Sequence, residues 1–380
     1  MKVIEKGIKL YSWKELKNEI NKFENTTDGY YHFTKDLINF PDAWIYIIWS
    51  RRGPGKTYSG LWRHIYKKIK IIYMKRTVED VDTICKESKG MDLNPYKKLN
   101  IDKILNIQPT SIGKGLGFFS NVPEGAENTE PISYIMALNK IKSVKGIEAS
   151  ECDWILLDEF IPQVGEIVRQ TEGEQLLDLY MTILRDRVAR GLPEIKLVLF
   201  ANAEDISTPI TNELEVVDYM AMLNQSGDDN IMYLEDKRIF LHHISPGEAP
   251  KMKKQDEELG IYQALKDTKW GRKTFAGEFA NNDFSNVVRC SLKGMKGLCE
   301  VIRNTHHYYV YYREKDGYFY MTTSKIKCPD VYNLNLENDQ KRFYNDMYFV
   351  LRESCIDGRM GFKTYSMYDL LINYKKFYNV

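Results

Sequence analysis

The stretch AWIYIIWSRRGPGKTYSGLW, Ala43 to Trp62, constrains this chain more than any other. It opens on an apolar, β-branched and aromatic run of the kind that forms a strand buried on both faces. That run passes without a break into Gly53-Pro54-Gly55-Lys56-Thr57, and YSGLWRHIYKKI beyond it has helical spacing. Strand, glycine turn and helix in that order can cradle phosphate. The turn's N–H groups point inward, a lysine meets the outer phosphates, and the helix N-terminus faces the anion. The full pattern is G-x-x-x-x-G-K-[ST], with the last hydroxyl placed for Mg²⁺. Here it reads Ser50, Arg51, Arg52, Gly53, Pro54, Gly55, Lys56 and Thr57, so a serine replaces the first glycine. A basic loop that spells Gly-Lys-Thr by chance is the alternative, and the rest of the chain decides between them.

A second element favours the phosphate loop. DWILLDEF places Asp158 and Glu159 at the end of an apolar strand, about a hundred residues beyond the lysine. A phosphate-loop enzyme needs one carboxylate to support Mg²⁺. The additional-glutamate class needs a second beside it to orient the attacking water. A third apolar run, KLVLFANA, ends at Asn202, next to the carboxylate strand, where an amide can sense the γ-phosphate; a simple turn asparagine fits the spacing as well. Arg185 and Arg187, in ILRDRVAR, lie on or just after the helix between these strands. That place suits an arginine finger for a neighbouring subunit, and it equally suits surface arginines on an amphipathic helix.

Buried strands also appear at KIIYMKR and PISYIMAL, and a strong helix at GEQLLDLYMTILRDRVA. Alternation of this kind predicts an α/β domain around a mostly parallel sheet. Ahead of it, YSWKELKNEINKF has helical spacing, and residues 89–131 are turn-rich, with a hairpin expected there. After about Asp228 the character changes. APKMKKQDEELGIYQALKDTKWG is charged and helical, and HHYYVYYREKDGYFYMTT is a pair of aromatic strands turning at Asp-Gly. The expected organisation is an ATPase domain over 1–248 with an N-terminal extension 1–42, a helical linker over 249–288, and a small α+β domain over 289–380.

At 380 residues the chain is long enough for about two domains. A net charge of +1 disfavours nonspecific coating of nucleic acid and leaves such contact to a local patch. A basic excess does occur late, at Arg289, Lys293, Lys296, Arg303, Lys325 and Lys327. The six cysteines form no C-x-x-C pair and the six histidines lack ligand spacing, so reduced, structural cysteines are expected. No stretch has the length of a membrane span, and MKVIEKGIKLYSWKEL lacks the apolar core of a signal peptide. A cytosolic protein is expected.

In their order along the chain, SRRGPGKTYS, IIYMKRT, LLDEFI, LRDRVARG, FANAEDIS and TFAGEFANNDF resemble the phage DNA-packaging motor ATPases of the phi-29-like type, relatives of the large terminases. The resemblance runs from about Tyr46 to Thr323. It implies a phosphate-loop ATPase of the additional-strand catalytic-glutamate (ASCE) class. It also implies a C-terminal domain like an RNase H-type nuclease that has lost its metal carboxylates; HHYYVYYRE, taken as that domain's first strand, carries no Asp. It implies a ring of subunits, five in number, that drives double-stranded DNA through the portal into a prohead, and it leaves room for an RNA scaffold. The place of action would be the host cytoplasm, at the portal vertex, with no membrane involved.

By the same resemblance, ATP and Mg²⁺ are the cofactors. Residues Ser50 to Tyr58 bind nucleotide, Lys56 and Thr57 meet phosphate and Mg²⁺, Asp158 supports the metal, and Glu159 is the catalytic glutamate. Lys75 and Arg76 match a basic pair lining the nucleotide, Arg185 a finger acting in trans, and Asn202 a coupling residue. Lys145, with Lys142 as rival, matches a second trans-acting cation. A full terminase with an active nuclease and a non-hydrolysing portal adaptor are the competing readings. A generic phosphate-loop helicase is disfavoured, because a second helicase core is not seen.

Overall fold

The computed structural model describes residues 2–17, 29–85, 93–122, 130–143, 149–163, 165–279, 281–378 and 380. The chain forms two compact units. The first comprises Met1–Leu214 and Met222–Asn281, and the second Glu215–Ala221 and Asn282–Val380.

The first unit is built on an eleven-stranded sheet. In chain order its strands are β1 (Lys2–Glu5), β2 (Ile8–Tyr11), β3 (Ile45–Ser50), β4 (Lys70–Lys75), β5 (Ile107–Gly113), β6 (Leu116–Asn121), β7 (Ser133–Ala137), β8 (Cys152–Asp158), β9 (Lys196–Asn202), β10 (Ile231–Leu234) and β11 (Ile239–His243). Across the sheet they run β1-β2-β10-β11-β3-β9-β8-β4-β7-β6-β5. The strands from β11 to β7 are mutually parallel, and antiparallel strands continue the sheet on either side. This is a mixed α/β unit with a large, mostly parallel central sheet. All six residues of β3 are buried, as a central strand covered on both faces requires.

Three helices fix what lies over the sheet. In α1 (Phe33–Asn39), the Phe33 ring packs edge-on against Tyr46, Trp154 and Phe200. In α2 (Lys56–Lys67), Gly60 lies so close to β8 and β9 that an added Cβ would come within 2.8 Å of the Phe200 ring. The long helix α3 (Glu172–Ala189) begins beside Arg76, just past the end of β4, and finishes against the starts of β8 and β9. There the buried Arg187 guanidinium donates to the carbonyls of Ser150 (2.8 Å), Cys152 (2.6 Å) and Pro193 (2.8 Å) and pairs with Asp153 at 2.9 Å. Arg187 is thus fully engaged within its own chain.

A buried charge chain ties early and late segments of this unit together. The His242 Nδ1 lies 2.8 Å from Asp36 and its Nε2 3.0 Å from Glu248, while the Tyr31 hydroxyl donates to Asp36 at 2.6 Å. Burial alone would lower the imidazole, but the two carboxylates outweigh it and raise His242 to about 10.

The second unit holds a five-stranded sheet of β12 (Lys296–Arg303), β13 (His306–Arg313), β14 (Tyr318–Thr322), β15 (Asp330–Asn333) and β16 (Met360–Phe362), in the order β15-β12-β13-β14-β16. The expected aromatic hairpin is β13–β14, with Gly317 in its turn at φ 65°. Its core includes Val301, Val310, Phe319, Leu351, Phe362 and Leu370.

Two expectations need correction. The helix expected over YSWKELKNEINKF does not start at Tyr11, which ends β2. Trp13–Glu15 make a single 3-10 turn, and residues 18–28 lie outside those described. The pairing of β2 with β10 explains the difference, because a tertiary ladder overrides a short helical spacing. Second, HHYYVYYRE is not the first strand of its sheet. KGLCEVIR precedes it as β12 and carries Glu300, whose carboxylate lies 2.6 Å from His307.

Two stability predictions follow from these contacts. Because its pKa is raised, His242 contributes stability that is complete below the ordinary histidine value of 6.5 and is lost as pH rises through about 10. The difference in unfolding free energy between wild type and His242→Gln, measured in denaturant, should shrink over that window by up to about 1.4 kcal/mol per pH unit. A constant difference would mean that the folded protein holds His242 neutral. Arg187→Ala should cost on the order of 3 kcal/mol by stranding buried carbonyls, whereas the exposed Arg185→Ala should stay within about 0.5 kcal/mol of wild type.

Candidate functional site

The loop between β3 and α2 takes its shape from two glycines. Gly53 and Gly55 have φ of 89° and 105°, left-handed conformations that only glycine takes without strain. The chain then enters α2 at Lys56, so the free N–H groups of the helix and the lysine occupy one corner. Lys56 is only 7% exposed. Its ammonium donates to the Ser50 hydroxyl, to the Arg51 carbonyl at 3.2 Å and to the Asn202 amide oxygen at 3.5 Å. All three are neutral acceptors. Burial pushes the ammonium down to about 8, and the more distant charges of Asp158 and Glu159 offset this only in part. A buried cation bonded only to neutral oxygens, at a helix N-terminus, is built to receive an anion.

Ser50 has a definite task here. It is the register partner of Asn202 across β3 and β9, so the two side chains flank the Lys56 ammonium. The serine that departs from the phosphate-loop pattern supplies an acceptor that glycine lacks.

The carboxylates come from β8, two strands away in the sheet. Asp158 is its last residue. Glu159 then adopts φ 58°, unusual for a non-glycine residue, and the next amide, of Phe160, returns to the Phe200 carbonyl at 3.1 Å. The Thr57 hydroxyl donates to Asp158 Oδ1 at 3.0 Å, and the Tyr73 hydroxyl to Oδ2 at 2.9 Å. Lys75 bridges both acids, 3.1 Å from Asp158 and 2.9 Å from Glu159. Burial would raise the Asp158 carboxyl, but Lys75 and the hydroxyl donors hold it below the usual range. Burial likewise opposes charge on Lys75, and the anionic groups around it more than compensate. A hydroxyl and an ionised carboxylate side by side are hard oxygen donors. They fit Mg²⁺, which takes few protein ligands and fills its octahedron with water and phosphate oxygens.

The other expected residues divide. Arg51 is buried and paired with Asp256, while Arg52 is exposed. The Pro54 carbonyl accepts from the Tyr31 amide at 2.9 Å. Tyr58, half-buried, bonds Asp102 at 2.8 Å. Arg76 faces the same cavity as Lys75, but its charge is met by Glu172 at 3.0 Å and by Glu166. Arg185 is exposed in the last turns of α3, toward the end of the sheet opposite its own Lys56. Lys145 lies outside the described residues, as does the side chain of Lys142. Tyr73, Gln163 and Glu204 also belong to the site. Tyr73 was readable in principle, since it precedes Lys75 by two on one strand and shares its face. The other two lie in loops that carry no periodic signal.

If the corner is an anion site, inorganic pyrophosphate should raise the melting temperature of the wild type and leave Lys56→Ala unmoved. Ser50→Ala should lower the unfolding free energy by about 1–3 kcal/mol, and pyrophosphate should narrow that deficit by giving the ammonium a better partner. A wild type indifferent to pyrophosphate would rule the site out.

By sequence, no family model and no curated protein matches the chain. By structure, it is similar to a chain of the bacteriophage Phi-29 viral genome packaging motor assembly, with 16% identity and a TM-score of 0.62, over 92% of this chain and 98% of that one. It is also similar to the Phi-28 gp11 DNA packaging motor, with 15% identity and a TM-score of 0.57, over 92% of this chain and 97% of that one. The motifs and the fold point the same way: along nearly its whole length this chain has the fold of the phi-29-type phage packaging motors.

Proposed function

We propose that this protein is an ATPase of the additional-strand catalytic-glutamate class that packages viral DNA. The observation that carries the reading is the 3.0 Å contact between Thr57 and Asp158. It brings two motifs a hundred residues apart to one point, beside a buried lysine whose three acceptors are all neutral. In this reading the loop amides and Lys56 bind the outer phosphates of ATP, and Thr57 and Asp158 hold Mg²⁺, which neutralises charge on the phosphate oxygens. Glu159 orients a water and takes its proton. The water oxygen bonds to the γ-phosphorus, the bond to the bridging oxygen breaks, and ADP and phosphate result. Lys75 must release Glu159 before that carboxylate can act, because an acceptor held in an ion pair is a poor base.

The motor reading rests on the shared fold. The solved chains it resembles belong to a viral genome packaging motor and a DNA packaging motor. We infer a homo-oligomeric ring, five subunits by analogy, acting at the portal of a prohead on double-stranded DNA in the host cytoplasm. Arg185 serves the neighbour's nucleotide, since it is exposed and its helix leads away from its own subunit's site. Lys145 or Lys142 is a second cation of this kind, and Asn202 couples the phosphate to β9. The ATPase domain ends near 248 and a helical linker follows. The C-terminal unit, a non-cutting relative of RNase H-type nucleases, binds DNA or portal; Arg289, Lys293, Lys296, Lys325 and Lys327 give it exposed cations.

Lys56→Ala should lose tight ATP binding, and Glu159→Gln should bind ATP but stall. Normal turnover in the second variant would remove Glu159 as the base. Arg185→Ala should bind ATP and lose about 10³–10⁵ in hydrolysis rate. Mixing it with Glu159→Gln should restore part of the activity, because one kind of interface then joins an intact Glu159 to an intact Arg185. Co-assembly without rescue would place Arg185 outside the neighbour's site. ATP-dependent protection of DNA from nuclease by proheads plus this protein tests packaging itself; hydrolysis without protection would leave an ATPase that does not package.

A further inference from the structure

A second cavity, of about 390 Å³, adjoins the hydrolysis site. It shares Gln163, Asn202 and Glu204 with the smaller cavity that contains Asp158 and Glu159, so one wall runs from the catalytic carboxylates into it. Its remaining lining includes Arg51, Arg52 and Lys273. Among the lining residues Glu204 is the one carboxylate, and it already pairs with Lys273 at 2.9 Å. Arg51 is 3% exposed. One end of its guanidinium is on Asp256, while its other terminal nitrogen is buried and has no hydrogen-bond partner among the described residues. Buried guanidinium nitrogens almost always find an acceptor, so this one is an unused donor within the wall of a cavity lined by three cations.

We propose that this cavity is a second oxyanion subsite, which takes the inorganic phosphate leaving the hydrolysis site. This rests on the ATPase reading above, since hydrolysis is the source of that phosphate. Glu204 acts as an internal stand-in. Its carboxylate occupies Lys273 until a phosphate dianion displaces it, and Arg51 and Arg52 supply further donors of matching geometry. Gln163 and Thr274 add neutral hydrogen-bonding groups along the wall. The subsite would draw the product away from Lys56 and slow its return to ADP.

Trp270, on the cavity lining and 46% exposed, gives a direct reporter. Inorganic phosphate is titrated into the full-length protein with ADP in excess, with Trp270→Phe as the blank. The expected result is a saturable fluorescence change absent from the blank. Lys273→Gln should weaken phosphate about tenfold, and Glu204→Gln, which removes the competing carboxylate, should tighten it by a similar factor. A gain in affinity cannot come from a misfolded variant. No saturable change in the wild type, or equal affinity in all three proteins, overturns the proposal. So does full displacement of phosphate by duplex DNA, which would assign the cavity to the nucleic-acid backbone. Turnover without phosphate binding overturns the subsite and leaves the ATPase standing. Phosphate binding without turnover overturns the hydrolysis reading, and with it the source assigned here.

Discussion

An ammonium held out of water among neutral oxygens is expensive. The depression of Lys56 from 10.5 to about 8 corresponds to about 3 kcal/mol of disfavoured charge. The cost is tolerated because the register of β3 against β9 delivers Ser50 and Asn202 as partial partners and leaves the remaining demand open. An anion that meets the demand recovers the energy as binding. On the proposed reading, the affinity of this corner for phosphate is set in advance by the packing of the strands beneath it.

The neighbouring strands work to the same end. β9 separates the phosphate-loop strand from the carboxylate strand, and β4 lies on the far side of β8. All four run parallel, so Ser50, Asn202, Asp158 and Lys75 finish at the same edge of the sheet. The candidate site is thus a row of strand ends, each fixed by its ladder. Lys75 then links Asp158 to Glu159 in one ion cluster, which leaves the glutamate held and the aspartate ionised.

Much of this row could be read in the sequence, because long buried strands announce themselves as unbroken apolar runs. AWIYIIW, KIIYMKR, DWILLDEF and KLVLFANA all became the strands expected, and the helices after the loop and before Asn202 followed from their spacing. What escaped notice was shorter or depended on distant pairing. β10 and β11 come from IMYLEDKRIFLHH, whose strands are four and five residues long, yet β11 is the immediate neighbour of β3. β12 escaped because only Cys299 and Val301 of its eight residues are buried. Ser50 departs from the motif, and its part in the site depends on a register partner 152 residues away, which no local pattern carries. Arg185 and Arg187 were equivalent on the helix until burial separated them.

The position of β3 between β9 and β11 also bears on how the chain is made. The phosphate-loop strand is among the first segments of this unit to leave the ribosome, but its two partners come about 150 and 190 residues later. Until then a six-residue run of Ile, Tyr, Trp and Ser has no ladder on either side. At a synthesis rate of roughly 5–20 residues per second, that interval lasts about ten to forty seconds. The nascent chain must carry this strand without its ladders throughout, because the loop that follows it is fixed in place only once β9 and β11 have paired with β3. The strand order thus leaves β3 without either neighbour for much of the time this unit takes to be made, and a product that ends before β11 would keep one side of it unpaired.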